Sequence, residues 1–225
     1  MNNLNNFNVF VINLRKNVSQ RIDFGQQAES IGLNYQYFEG YDGVSEGYDK
    51  SSEFLTKYYT KPFYISQGSS DNKESANYDI TNFIKAERMG SLISHLRMLK
   101  YAIDMELTNI IIMEDDLIIK DLDFSVTQED AHISYLSGQK ELYSSALNIN
   151  GYQESPFNWA EIDKYKVWGH KAYIIEGRDK IKLVYDLLIN IEQKPRALDA
   201  MMIKYVQKNY KCYLLNNGND FNVSK

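Results

Sequence analysis

The sequence predicts an α/β domain with a mostly parallel central sheet and helices on both faces. Three observations carry this. Short β-prone runs alternate along the chain with amphipathic helical segments, the order that builds a parallel sheet. The apolar run Asn109-Ile-Ile-Ile-Met113 passes straight into Glu114-Asp115-Asp116, so a strand ends in a concentrated charge. Length and composition agree: 225 residues, 44% hydrophobic and 24% charged, fit one globular domain over residues 1–225.

The elements follow in order. Phe7 to Leu14 is β-prone and reads as a buried first strand. Arg15-Lys16-Asn17 is a polar turn, and Asn17 is placed to cap a helix running from Val18 to about Ser30 and leaving at Gly32. Tyr35 to Phe38 reads as a second short strand, closed by the turn Gly40-Tyr-Asp-Gly43. Residues 44–84 read as a variable, mobile insertion or lid, polar and turn-rich between Ser66 and Ser75. From Arg88 to Leu107, the residues Leu92, Leu96, Leu99 and Ile103 recur at helical spacing. After the Asn109 strand, His132 to Leu136 reads as a strand ending at Ser137-Gly138, and residues 139–160 read as loop. Lys166 to Ile175 reads as one strand interrupted by Gly169. Helices near Asp179 to Asn190 and after Leu198, then a strand at Cys212 to Leu215, complete the chain.

Charge and cysteine content exclude several classes. With 25 basic and 30 acidic residues the net charge is −5, which offers no general attraction for nucleic acid. One cysteine, Cys212, permits neither an intrachain disulfide nor a cysteine-rich zinc site. The N-terminus lacks the pattern of a signal peptide, and no stretch approaches the ~20 apolar residues of a transmembrane helix. The expectation is a cytoplasmic protein.

Three places carry chemistry. Glu114, Asp115 and Asp116 repel one another at neutral pH, and a cation relieves that repulsion. On an extended backbone Glu114 and Asp116 face one way and Asp115 the other. Hard oxygen ligands on a short turn suit Mg²⁺ or Mn²⁺, and open α/β sheets bind ligands at the carboxyl ends of strands. The same tripeptide also fits a solvated acidic loop. Second, Val11-Ile-Asn-Leu-Arg15 with Arg21 puts cationic donors beyond the first strand, where a nucleotide could dock, or simply on a solvated face. Third, in Glu87-Arg-Met-Gly-Ser-Leu-Ile-Ser-His95, Gly90 permits close backbone approach at a helix start, with Ser94 and His95 one turn in.

Together, and in this order, these pieces resemble glycosyltransferase family 25, the lipopolysaccharide glycosyltransferases and collagen β-galactosyltransferases. The resemblance rests on Val11 to Arg15 with Arg21, Gly90-Ser-Leu-Ile-Ser-His95 and Met113-Glu-Asp-Asp116. Ser134-Tyr-Leu-Ser-Gly138, Gly169-His-Lys-Ala-Tyr173 and Leu198-Asp-Ala-Met201 extend it. The chain departs from the family pattern at Ser91, Arg88 and Ser137.

The resemblance implies a GT-A type fold and transfer of a hexose from a UDP-sugar such as UDP-galactose, with inversion. The acceptor would be a glycan, lipid-linked or protein hydroxyl. It implies Asp115 and Asp116 on Mn²⁺ or Mg²⁺, Glu114 towards the ribose or sugar, and Asn13, Leu14, Arg15 and Arg21 around the nucleotide. Gly90, Ser94 and His95 would help to line the donor site, and Gly169 and Tyr173 the sugar pocket, with Trp168 stacking on a ring or packed in the core. Asp199 would be the base that takes the acceptor proton; local sequence supports a first-turn helix acid equally well. The rival readings are a catalytically degenerate nucleotide- or glycan-binding copy and a metal-dependent phosphohydrolase.

Overall fold

The apolar runs pair into one seven-stranded sheet in the computed structural model, which describes residues 4–46, 53–59, 64–66, 83–119, 130–142, 159–161, 165–189 and 195–215. Its first half contains β1 (Asn8–Asn13), α1 (Val18–Ser30), β2 (Gln36–Glu39), β3 (Tyr64–Ser66), β4 (Phe83–Lys85), α2 (Ala86–Asp104) and β5 (Asn109–Glu114). There follow β6 (Ile133–Tyr135), β7 (Gln139–Leu142), β8 (Trp159–Glu161), β9 (Tyr165–Trp168), β10 (Ala172–Glu176) and α3 (Arg178–Leu188). A short α4 (Leu198–Met201) runs into a π-helical turn, Met202–Gln207, before β11 (Cys212–Leu215).

The sheet order is β2-β1-β5-β10-β6-β11-β8. β2, β1 and β5 are parallel, as are β6 and β11, but β10 is antiparallel to both neighbours and β8 to β11. The sheet is therefore mixed, which corrects the mostly parallel expectation. The reason lies at Gly169. Its φ of +69° turns the chain sharply, so the predicted strand from Lys166 to Ile175 divides. β9 pairs with β7 in a separate ribbon, and three residues later β10 enters the main sheet from the edge where β1 and β5 end, so it runs antiparallel to β5.

Side-chain alternation along the strands builds two cores. Phe10, Ile12, Ile110, Ile112, Tyr173 and Ile175 face α2, α3 and α4. Val9, Val11, Ile111, Met113 and Ile174 face Phe24 and Ala28 of α1. Helices thus cover both faces, as expected. The α2 stripe Leu92, Leu96 and Leu99 is at most 1% exposed, and truncating one of these to Ala costs about 2–5 kcal/mol. Within the predicted variable insertion, residues 44–46 and 53–59 are described, with Leu55 and Tyr59 buried in the core, β3 forms and β4 begins; β7 forms and β8 begins within a predicted loop, while residues 67–82 and 143–158 lie outside the described residues. Among the described residues, no helix is long and apolar enough to cross a membrane.

Candidate active site

Strand direction gathers the site. The parallel strands β2, β1 and β5 end on one edge of the sheet, and antiparallel β10 begins there. That edge therefore carries the residues after Asn13, the acidic turn after Met113, and Gly169 to Lys171. The backbone joins them: Asp115 N–H donates to Ile12 O at 3.2 Å, and Glu114 N–H donates to Lys171 O at 2.7 Å.

The three carboxylates of the turn point to three different partners. Strand pairing stops at Glu114, and the expected alternation stops with it. Glu114 turns towards α2, where Ser91 Oγ donates to its Oε1 at 3.3 Å and His95 Nε2 lies 3.2 Å away. Buried His95 holds Tyr173 Oη at 2.8 Å through Nδ1. The Glu114 carboxylate can only accept, which places the His95 proton on Nε2 and leaves Nδ1 to accept from the Tyr173 hydroxyl, whose pKa burial pushes well above its ordinary value. Asp115 Oδ2 accepts from Asn13 Nδ2 at 2.6 Å and from Asn17 Nδ2 at 3.4 Å. Burial first, then the Asp116 and Glu114 charges, raise the Asp115 carboxyl, against the lowering effect of both amides. Asp116 pairs with Lys171 Nζ.

A cleft of about 430 Å³ opens over this turn, lined among others by Leu14, Lys16, Asn17, Tyr41, Asp42 and His95. Its far wall, the turn after β2, lies directly on α2 because two glycines meet. A Cβ on Gly90 would stand 2.7 Å from Tyr41 O, and one on Gly43 would stand 2.1 Å from Ala86 O. Ser94 ties the two together: its Oγ donates to Gly90 O and accepts from Tyr41 N–H, both at 2.7 Å. Lys16 pairs with Asp42 at 2.6 Å. Burial raises the Asp42 carboxyl, but Lys16 and Ser45 outweigh it and hold it at about 2.

A second cavity of about 290 Å³ adjoins the first, with Ser91 and Glu114 lining both. Arg88, Trp168, Lys171 and Asp199 complete its rim. Beneath it, Gln207 clamps the backbone of Val167 twice, accepting from its N–H and donating to its C=O, each at 3.1 Å. This fixes the Gln207 amide, so its other N–H donates to His170 Nε2 at 2.8 Å, leaving the proton of His170 on Nδ1. Nδ1 lies 2.9 Å from Asp199 Oδ1, which also accepts the His170 backbone N–H at 3.3 Å. Burial raises the Asp199 carboxyl, but these contacts outweigh it and hold it at about 2.

The structure thus brings Leu14, Ser94, His95, Glu114, Asp115 and Asp116 to the first cleft, and Gly169 and Asp199 to the second. Asn13 and Tyr173 stand behind it, holding Asp115 and His95. Gly90 lies one turn inside α2, which starts at Ala86, rather than at the helix start. Arg15 and Arg21 stay outside both cavities: Arg15 is bound to Glu39 at 2.7 Å, and Arg21 lies over the Tyr37 ring at 4.3 Å. Asn17 is the N-cap residue of α1 as expected, but its side chain makes no capping hydrogen bond and its Nδ2 donates to Asp115. Sequence reading did not single out Lys16, Tyr41, Asp42, Lys171 or Gln207. Lys171 lies inside the Gly169 to Tyr173 motif, and Lys16, Tyr41 and Asp42 lie in segments legible as turns, but nothing local marks their partners, and Gln207 carries no local signal at all.

Among the described residues, no three His, Cys, Asp or Glu side chains converge on one point. The acidic turn therefore does not form an all-protein metal cage. It fits an ion bound by one or two carboxylates and completed by substrate phosphate oxygens, a common arrangement for Mg²⁺.

A mixed sheet with helices on both faces and a carboxylate turn at the strand ends is consistent with a GT-A-like glycosyltransferase fold. The sequence model for glycosyltransferase family 25 (LPS biosynthesis protein) matches residues 6–202, and the chain belongs to that family of glycosyltransferases. No individually curated protein matches it.

Proposed function

We propose that this enzyme moves a hexose from a UDP-sugar, with galactose the first sugar to test, to a hydroxyl of a glycan, lipid-linked or protein acceptor in the cytoplasm. The observation that carries this is the pair of adjoining cavities sharing Ser91 and Glu114 at the carboxyl ends of β1 and β5. Two substrates must meet at one point for transfer, and paired cavities with a common wall provide it. The larger one takes the nucleotide sugar and the smaller one the acceptor.

In this reading the acceptor O–H gives its proton to Asp199 as the oxygen attacks the anomeric carbon. The bond from that carbon to the diphosphate oxygen breaks on the opposite face, and its electron pair leaves with the diphosphate, so configuration inverts. The buried His170–Gln207 contact fixes the Asp199 carboxylate for this task. His95, held by Tyr173, does the same for Glu114, which lies where donor sugar and acceptor meet. Mn²⁺ or Mg²⁺, held by Asp116 with Asp115, would act as a Lewis acid on the departing diphosphate.

Calorimetric titration of UDP into the wild type and Asp116→Ala, with Mn²⁺ and then with chelator, tests the donor side. Binding that weakens with chelator and in the variant is expected. Absence of UDP binding under both conditions overturns the UDP-sugar reading.

A further inference from the structure

We infer that Lys171 is a diphosphate-binding residue, supplying positive charge where the leaving group's negative charge develops. The inference rests on the donor and acceptor assignment above and adds a residue to it. Three facts converge. Lys171 lines the acceptor-side cavity, yet its Nζ reaches Asp116, which lines the donor-side cleft. The ammonium therefore sits at the boundary where the bond to the diphosphate must break. Its backbone is held at both ends: Lys171 N–H donates to Gly169 O at 2.7 Å, and Lys171 O accepts Glu114 N–H at 2.7 Å. The Gly169 turn thus fixes the residue over the acidic turn.

The electrostatics require such a group. A diphosphate approaching Glu114, Asp115 and Asp116 meets like charge on each, and a cation must lie between them. Lys16 is engaged with Asp42, and Arg88 lines the same cavity as Lys171 but, unlike it, is not paired with Asp116. Among the described residues, Lys171 is the Lys or Arg paired with the turn, and its flexible stem lets Nζ move from the Asp116 carboxylate to a phosphate oxygen without backbone change.

Inorganic pyrophosphate is the probe, because it carries the diphosphate without any nucleoside. Its affinity is measured by calorimetry in chelator for the wild type, Lys171→Ala, Lys171→Arg and Asp116→Asn. Wild type is expected to bind, and Lys171→Ala to lose tenfold or more, about 1.4 kcal/mol. Lys171→Arg keeps most of the affinity, and Asp116→Asn gains. Melting temperatures without ligand should match, which separates lost binding from lost folding. Equal affinity in wild type and Lys171→Ala, or no binding by wild type in chelator, overturns the inference. UDP binding with Mn²⁺ would leave the donor reading standing in either case. Lys171-dependent pyrophosphate binding without UDP binding would support this inference and remove the donor reading.

Discussion

Replacing Asp199 by Asn removes one charge and almost no volume, and the structure sets the size of the effect. Burial acts to raise the carboxyl; the His170 imidazole 2.9 Å away and the backbone N–H groups of His170 and Gly169 outweigh it and hold the pKa at about 2, against an ordinary 3.8. Close to two pKa units at 1.36 kcal/mol each favour the ionised form in the folded protein by about 2 kcal/mol. Because the folded carboxyl binds its proton more weakly than the unfolded one, this contribution is complete above the unfolded value. It is lost as pH falls through the folded value of about 2. Asp199→Asn is therefore expected to lower the unfolding free energy at pH 7 by about 2 kcal/mol, a drop of about 4–8 °C in Tm for a chain of this length. Urea denaturation of both proteins at neutral and acidic pH checks it, since their difference cancels the other carboxylates. The gap should narrow as the pH approaches about 2. In a His170→Gln background the same substitution should cost much less, because its partner is gone. Equal stability at pH 7, or a gap unchanged in acid, would refute the account of Asp199 given above.

Gly90→Ala places a Cβ 2.7 Å from Tyr41 O and 2.8 Å from Gly43 N, so the turn must leave α2. The expected cost is about 1–3 kcal/mol by thermal unfolding, together with weaker nucleotide binding, because the cleft wall moves. Asn13→Leu leaves Asp115 with Asn17 as its remaining amide partner; about 1.5–3 kcal/mol should be lost in urea denaturation at pH 7, and an undisturbed midpoint would show that the 2.6 Å contact carries no stability. Gly169→Ala meets no atom within 4 Å, so its cost is backbone strain at φ +69°, about 1–2 kcal/mol, and Gly169→Asn should cost less. Both follow from comparative Tm values.

The sequence by itself determined the elements whose signal is local. β1, α1, α2, β5 and β11 were legible because strand-forming runs, helical spacing and turn residues act within a few positions, and α1 falls on Val18–Ser30 as read. The family was legible too, since its motifs are short and ordered. β7 and β8 were not: each is three or four residues long and exists through pairing with a distant partner, as Trp159 does with Leu215. The split at Gly169 and the reversed direction of β10 were hidden for the same reason, since strand direction depends on which neighbours a strand meets.

In the site, the acids could be read but their partners could not. Asn13 reaches Asp115 across 102 positions, and Asn17, which the local sequence marks as a cap, donates to the same carboxylate and makes no capping bond. Arg15 and Arg21 stood out because charge beside a strand end is all a sequence displays; the fold sets them beside Glu39 and over the Tyr37 ring, outside the two cavities. Local chemistry fixes which groups are charged and which segments extend or coil. Long-range packing brings Lys171 to Asp116, because only the folded sheet places the start of an antiparallel strand against the ends of parallel ones, and brings His170 to Asp199 of α4, which packs beside that edge.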